Sequence, residues 1–214
     1  MKYQEFKSTL ISASNKTLPG ESAQMDLALM GRNSLSEMDL DLNSVRKAAV
    51  LALFENHQGS ARLILTSRQV YAGAHSGQVS FPGGSIEDDD ANLEETAMRE
   101  SEEEIKVGPS DYKIWGALSQ LYIPPSNFLV QPYLAFSDKA LVMQAEEREV
   151  AAIHQIPFEH FLANDAIKKT QIKLSNGFKI KSPAFKVEGL LIWGATAMMI
   201  SEIRQIFLRE KATL

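Results

Sequence analysis

Glu100, Glu103 and Glu104 stand close enough in the chain to share one face of a helix. Asp90 or Asn92 can cap that helix, and Glu94 and Glu95 then fall in the first turn, where negative charge is favoured. Gly83-Gly84 upstream form a turn that no helix starts across. With Leu93 at zero and about 100° per residue, Ala97 lies near +40°, Glu104 near +20°, Glu100 near −20° and Glu103 near −80°. All three carboxylates are thus expected on the side where Leu93 and Ala97 meet the protein body, while Glu95, Arg99 and Glu102 point roughly the other way. Inward carboxylates repel one another, and at the end of a helix they also oppose its dipole, so a cation must neutralise them. Hard oxygen donors clustered in this way suit Mg²⁺ or Mn²⁺. A solvated acidic helix face is the competing explanation, and it leaves the inward aim unexplained. The stretch Ser80 to Val107 carries ten acidic residues against Arg99 and Lys106, a formal charge of 2 − 10 = −8. The whole chain is −5, so the remainder sums to +3 and the acidity is local.

These residues resemble the Nudix hydrolase box. Gly84, Arg99, Glu100, Glu103 and Glu104 fall where that box has its glycine and its Arg-Glu-x-x-Glu-Glu core. The box commonly has seven residues between its middle acid and the arginine, whereas Asp90 to Arg99 leaves eight. The extra residue is typical of one subgroup, the coenzyme A pyrophosphatases. Their LLTxR, glycine-containing loop, FPGG, spaced acid pair and TALRE are similar to Leu65-Thr66-Ser67-Arg68, Gly77, Phe81-Pro82-Gly83-Gly84, Glu87 with Asp90, and Thr96-Ala97-Met98-Arg99-Glu100. A distant segment, Ile192-Trp193-Gly194-Ala195-Thr196-Ala197, resembles the subgroup's IWGxTA, so the likeness spans roughly residues 45 to 205. The chain departs from the pattern at Gln69, where the subgroup has a small residue, and at Gly73, where it has a second arginine. It departs again at Ser101 and Lys106, where the box has an apolar residue and a glycine.

The resemblance implies a fold of class α/β (α+β), the Nudix α/β/α sandwich with a mixed β-sheet, in which the box forms a loop-helix-loop. It implies divalent metal on Glu100, Glu103 and Glu104 and on the carbonyl of Gly84, with Glu103 also in a catalytic role. Arg99 would pair with Glu87 or Asp90 and hold Glu103 in place. Arg68, at a strand end, offers a planar fork for phosphate oxygens. His75, in the same loop, either joins it or lies in an ordinary surface connection. Gly83 lets backbone approach a ligand closely. The family often carries a base or a further metal ligand after the box, which implies Glu149 as a candidate. Glu146 and Glu147 compete with it, and a solvated acidic turn is the alternative. His57, His154 and His160 show no metal-ligand spacing and read as structural or surface residues. The expected reaction is hydrolysis of coenzyme A, or an acyl-coenzyme A, to 3′,5′-ADP and (acyl-)4′-phosphopantetheine. A Nudix pyrophosphatase for ADP-ribose, a dinucleotide or a nucleoside triphosphate is the second reading. A non-catalytic nucleotide sensor is the third, disfavoured because all three metal glutamates are present.

The elements that must position these residues can be read in part. Met1 to Ala13 has helical apolar spacing, and Thr17 to Leu40 reads as a long connection. Arg46 to Glu55 and Ala61 to Ser67 read as strands joined by a turn at His57 to Ser60. Gln78 to Phe81, Tyr112 to Tyr122 and Phe128 to Phe136 read as further strands, with Pro132 implying an edge or a bulge. Pro157 to Leu162 reads as a short helix. Asn176-Gly177 predicts a hairpin between Thr170 to Leu174 and Phe178 to Lys181. Phe185 to Val187 adds a strand, and Leu190 to Glu210 reads as one long helix. Residues 1–44 are expected as an N-terminal helix and connection packed on a Nudix domain of residues 45–214.

At 214 residues and 44% apolar composition the chain can bury a sizeable core. There is no cysteine, which excludes a disulfide framework and a thiol nucleophile. The absence of a basic tract argues against nucleic acid as partner. The start has no apolar core of signal-peptide length, and Gly189 to Ile200 is too short to span a bilayer. A cytoplasmic protein with a small-molecule nucleotide substrate is expected, and family habit allows a homodimer.

Overall fold

The apolar run from Ala48 to Phe54 forms the middle of strand β1 (Arg46–His57). Ala49, Leu51 and Leu53 pack on one side of it, and Ala52 and Phe54 on the other. A strand buried on both faces needs an unbroken apolar sequence, which is what this stretch has. The computed structural model describes residues 1–14, 16–38, 40–41, 44–69, 77–173 and 177–213.

Strand β2 (Ser60–Arg68) returns antiparallel to β1. The two strands pair from Phe54 and Leu63 to the turn. Towards the other end β2 pairs with β3 (Val79–Ser80), while β1 pairs with β4 (Gly83–Ser85). The segment that carries Gly83-Gly84 is therefore laid into the sheet itself. Helix α3 (Leu93–Ile105) follows. Strands β5 (Lys113–Ala117), β6 (Leu121–Ile123) and β7 (Phe128–Ser137) come next, with β7 parallel to β1. Strand β8 (Val150–Pro157) pairs with β2 along nearly its whole length, with a bulge between Ser67 and Arg68. These eight strands form one mixed sheet.

One face of the sheet is covered by α3, through Ala97, Ile105 and the following Val107 and Tyr112. The other is covered by α1 (Tyr3–Ser14) and α5 (Gly194–Thr213). On that side Phe6 lies against Phe54, Phe158 and Phe207, with ring centroids 4.8, 5.0 and 5.4 Å apart. The arrangement is an α/β/α sandwich, as expected. Beside it β9 (Ile167–Lys173), β10 (Lys179–Val187) and β11 (Leu190–Trp193) form a small antiparallel sheet. Its sequence from residue 166 to 187 holds Lys168, Lys169, Lys173, Lys179, Lys181 and Lys186 and no acidic residue. Among the described residues no helix is long and apolar enough to cross a membrane.

Several expectations are corrected. The connection from Thr17 to Leu40 contains α2 (Glu21–Met25) and a 3₁₀ turn at Leu35–Glu37. The strand expected from Tyr112 to Tyr122 is broken at Leu118 to Gln120. Its partner explains the break. Leu118 N–H donates to the carbonyl of Pro132 at 2.9 Å, but Pro132 has no N–H to return. The Gln131 side chain donates to the Leu118 carbonyl instead, at 2.7 Å. Pro132 consequently stands in an interior strand rather than at an edge, and the bulge, the other expectation, lies nearby, where the β5–β7 register shifts between Ile114 and Gly116. Strand β8 went unforeseen because its apolar residues do not alternate cleanly. The last helix begins at Gly194, whose φ of +62° separates it from β11. α4 (Glu159–Leu162) is one short turn, close to expectation. The two strands of the predicted hairpin are present, and residues 174–176 of its turn lie outside the described residues.

Candidate active site

Two glycines bring the box onto the sheet for different reasons. A Cβ at Gly83, whose φ is +150°, would meet the Ala49 carbonyl oxygen at 2.3 Å and Val50 Cα at 2.6 Å. Only glycine lets β4 lie this close to β1. A Cβ at Gly84 would meet the Glu100 carboxylate, with Oε1 at 2.3 Å and Cδ at 2.5 Å. The Glu100 carboxylate thus rests directly on the Gly84 backbone.

Helix α3 is capped by Asn92, whose side-chain oxygen accepts from the N–H groups of Glu94 at 2.9 Å and Glu95 at 3.0 Å. That frees Asp90 for another task. Its carboxylate accepts from Arg99 Nε at 2.9 Å, Arg99 Nη2 at 3.0 Å, Thr96 Oγ1 at 2.9 Å and the Glu87 N–H at 2.9 Å. The Arg99 hydrogen bonds chiefly hold Asp90 well below the usual carboxylate range. Arg99 also donates to the Ser85 carbonyl at 3.0 Å, Glu100 Oε1 at 3.0 Å and Glu103 Oε2 at 3.1 Å. The expected pairing with Asp90 is present, and Glu87 lies 3.7 Å away. The expectation that Arg99 points away from the glutamates is corrected: its long side chain reaches round to two of them.

Of the three glutamates, Glu104 is buried, Glu100 is nearly so, and Glu103 is 59% exposed. Glu103 therefore sits at the rim rather than facing inward, as an angle near the edge of the helical stripe allows. Among the described residues Glu104 has one backbone donor, the Gly83 N–H at 3.3 Å. Burial pushes its carboxyl up to about 7, with Arg68 opposing and Glu100 and Glu149 adding to the shift. Glu100 is raised chiefly by burial, against the pull of Arg99, and Glu103 and Glu149 raise it further. Arg68 and Glu149 are thus electrostatic neighbours of the box glutamates, although they stand far away in the sequence.

Among the described residues no three His, Cys, Asp or Glu side chains converge into a ready-made cage. The geometry gives the reason: Arg99 holds Glu100 and Glu103, and Glu104 is turned to Gly83. The donor set nonetheless fits a hard divalent cation. A buried carboxylate with one long hydrogen bond and like-charged neighbours lacks positive charge, and oxygen ligands are what Mg²⁺ or Mn²⁺ takes.

Glu149 ends a turn fastened to α3. The N–H groups of Gln144 and Glu146 donate to the carbonyls of Ile105 and Glu104 at 3.0 and 2.9 Å. An open cleft of about 510 Å³ lies here, lined by Glu103, Lys106, Glu146, Arg148 and Glu149. Lys106 takes the left-handed conformation, φ +57°, that closes α3 and suits the glycine usual there. Its Nζ donates to the Glu103 carbonyl at 3.0 Å. Ser101 is buried where the box has an apolar residue, and its hydroxyl meets the Val107 carbonyl at 2.9 Å and the Tyr112 hydroxyl at 3.0 Å. Neither Lys106 nor Arg148 was foreseen at the cleft. The signal for Lys106 was its departure from the box glycine; Arg148 gave none. His75 lies outside the described residues, as does Gly73. His154 is structural, bonded to Ser67 Oγ at 2.7 Å, and burial lowers its pKa.

A carboxylate-bearing helix on a sheet between helices, with two glycines seating the preceding strand, is the arrangement of a Nudix-type hydrolase fold, and comparison with known proteins agrees. The sequence profile of the NUDIX domain matches residues 45–175. An uncharacterized Nudix hydrolase, NudL of Escherichia coli (strain SMS-3-5 / SECEC), is 30% identical over 166 residues, covering 76% of this chain and 82% of the relative. Two solved structures share the fold. One is a Nudix hydrolase from M. smegmatis, RenU, with a TM-score of 0.50, 14% identity and coverage of 78% of this chain and 86% of that one. The other is a MutT/nudix family protein from Enterococcus faecalis, with a TM-score of 0.51, 14% identity and coverage of 83% and 66%. The chain belongs to the Nudix hydrolase family.

Proposed function

We propose that this Nudix hydrolase cleaves the pyrophosphate link of coenzyme A or an acyl-coenzyme A, releasing 3′,5′-ADP and (acyl-)4′-phosphopantetheine. The observation that supports the subgroup reading best is a contact between its two sequence segments. Thr196, from Ile192 to Ala197, donates through Oγ1 to the carbonyl of Val79 at 3.0 Å. Val79 begins the strand that runs into Phe81-Pro82-Gly83-Gly84. Segments more than a hundred residues apart thus meet beside the box.

Glu100, Glu104 and the Gly84 carbonyl would hold Mg²⁺ or Mn²⁺, with Glu103 joining from the rim. The ion, when bound, supplies Lewis acidity and offsets the charge of a pyrophosphate. Arg68 presents its fork to the phosphate oxygens. Glu149 accepts a proton from the attacking water, with Glu103 as the competing base. The new bond joins water oxygen to phosphorus, and the bond from that phosphorus to the bridging oxygen breaks. Arg99 holds Glu100 and Glu103 in register and keeps Asp90 ionised.

One observation favours a different substrate within the same chemistry. Gln69 fills the position of a small residue beside Arg68, so the pocket differs there from the subgroup pattern. Product analysis decides between the readings, with coenzyme A, ADP-ribose, NADH, diadenosine polyphosphates and nucleoside triphosphates supplied separately under Mg²⁺ and Mn²⁺. The proposal expects 3′,5′-ADP from coenzyme A, faster than any other cleavage. A faster reaction on another substrate would replace coenzyme A and keep the hydrolase.

A further inference from the structure

Gln69 does more than fill space beside Arg68. It follows the β2 bulge directly, and its backbone N–H donates to the carbonyl of Glu149 at 2.9 Å. Its side-chain Nε2 donates to the carbonyl of Glu147 at 2.8 Å. One residue therefore grips the same turn at two carbonyls. The carbonyl of Glu146 accepts from the N–H groups of Glu149 and Val150 at 3.0 and 2.8 Å. On its far side the turn is tied to the carbonyls of Glu104 and Ile105. The turn is thus a bridge between the end of β2, which bears Arg68, and the end of α3, which bears Glu103 and Glu104.

We propose that Gln69 is a positioning residue, whose side-chain amide clamps the Glu146 to Glu149 turn and so fixes the Glu149 carboxylate against the box glutamates. A small residue at this position keeps the backbone bond and lacks the side-chain one. The bond is exposed, so it adds little stability. Its weight is geometric, because a base displaced by a fraction of an ångström loses its alignment. The inference rests on the reading of Glu149 as the proton acceptor, and the test separates the two.

The variants are Gln69→Ala, which removes the amide, and Gln69→Glu, which keeps the length but replaces the donor with an acceptor. Each is made alone and with Glu149→Gln. Hydrogen exchange of residues 146–150, measured without metal or substrate, reads the clamp. Both Gln69 variants should speed exchange there while the sheet stays protected. Both should lower kcat on the order of tenfold with KM little changed. In the Glu149→Gln background the same changes should leave kcat where it is, because a residue acting through Glu149 has nothing left to position. Unchanged exchange overturns the clamp. A raised KM with unchanged kcat overturns it too, making Gln69 a substrate contact. If Glu149→Gln alone leaves kcat unchanged, the base reading falls and with it the positioning role, even where exchange shows the clamp itself to be real.

Discussion

Glu104 is a carboxylate almost without water, and its titration contributes to how the molecule responds to pH. Its folded-state value near 7 lies above the 4.5 of an unburied glutamate. The folded state therefore binds this proton more tightly than the unfolded chain does. The resulting stabilisation is fully present below pH 4.5, and it is lost as the pH rises through 7, a swing on the order of 3 kcal/mol. At the proposed site Mg²⁺ would compete with that proton. The gain in Tm on adding Mg²⁺ should accordingly be larger at pH 8 than at pH 6, and an equal gain at both would remove Glu104 from the metal site. Glu103 behaves differently because it is exposed. Glu103→Gln should shift stability by less than about 0.5 kcal/mol. It should lower kcat by orders of magnitude, because it removes a carboxylate that the proposal gives to the metal; near-normal turnover would take Glu103 out of the chemistry. The helical wheel placed Glu100 and Glu104 correctly because an angle depends only on spacing. It misjudged Glu103 and Arg99 because it ignores the length of a side chain, which carries Arg99 around the helix to Asp90, Glu100 and Glu103.

At the scale of elements, the adjacent glycines of β4 should respond in opposite ways. Gly83→Ala drives a Cβ into backbone at 2.3 Å and also strains a positive φ. It should cost about 3 kcal/mol or more in urea denaturation, since backbone cannot move aside cheaply. Gly84→Ala meets only the far end of Glu100, which can swing away. It should cost under about 1 kcal/mol while weakening Mn²⁺ binding in calorimetry and lowering turnover, because the displaced carboxylate is the proposed ligand. Equal stability losses would contradict this division. Elements with simple patterns were legible: β1 from its doubly apolar run, α3 from its cap, and the hairpin from Asn176-Gly177. Of those that were not, three had a tertiary cause. The break between β5 and β6 depends on which residue faces Pro132. The start of α5 depends on Gly194 following a strand that pairs with β10. The short β4 depends on what stands opposite Gly83.

For the molecule as a whole, the N-terminal helix is part of the main core. Phe6 is fully buried among rings from β1, α5 and the segment after β8. Phe6→Ala should cost about 3–5 kcal/mol, measured by chemical denaturation. A cost below 1 kcal/mol would mean that α1 is a detachable appendage. The sequence announced a helix here but not its depth, since Phe6, Leu10 and Ile11 at helical spacing fit a surface helix equally well. The site was legible to the extent that it lay in one continuous stretch. The approach of Arg68 and Glu149 to it is a property of the folded sheet.

The lysine-bearing strands β9 and β10 have a consequence for how the molecule behaves in an electric field. Residues 166–187 carry +6, so the rest of the chain sums to −5 − 6 = −11. Cross-strand register sets Lys169, Lys179 and Lys181 on one face, all exposed. The protein is thus a strong dipole rather than a uniform anion. At pH 7 and low salt it should adhere to a sulfonate resin despite its negative net charge, and elute as salt screens the lysines. Replacing Lys169, Lys179 and Lys181 with glutamate should abolish that retention while the chain still binds a quaternary-amine resin.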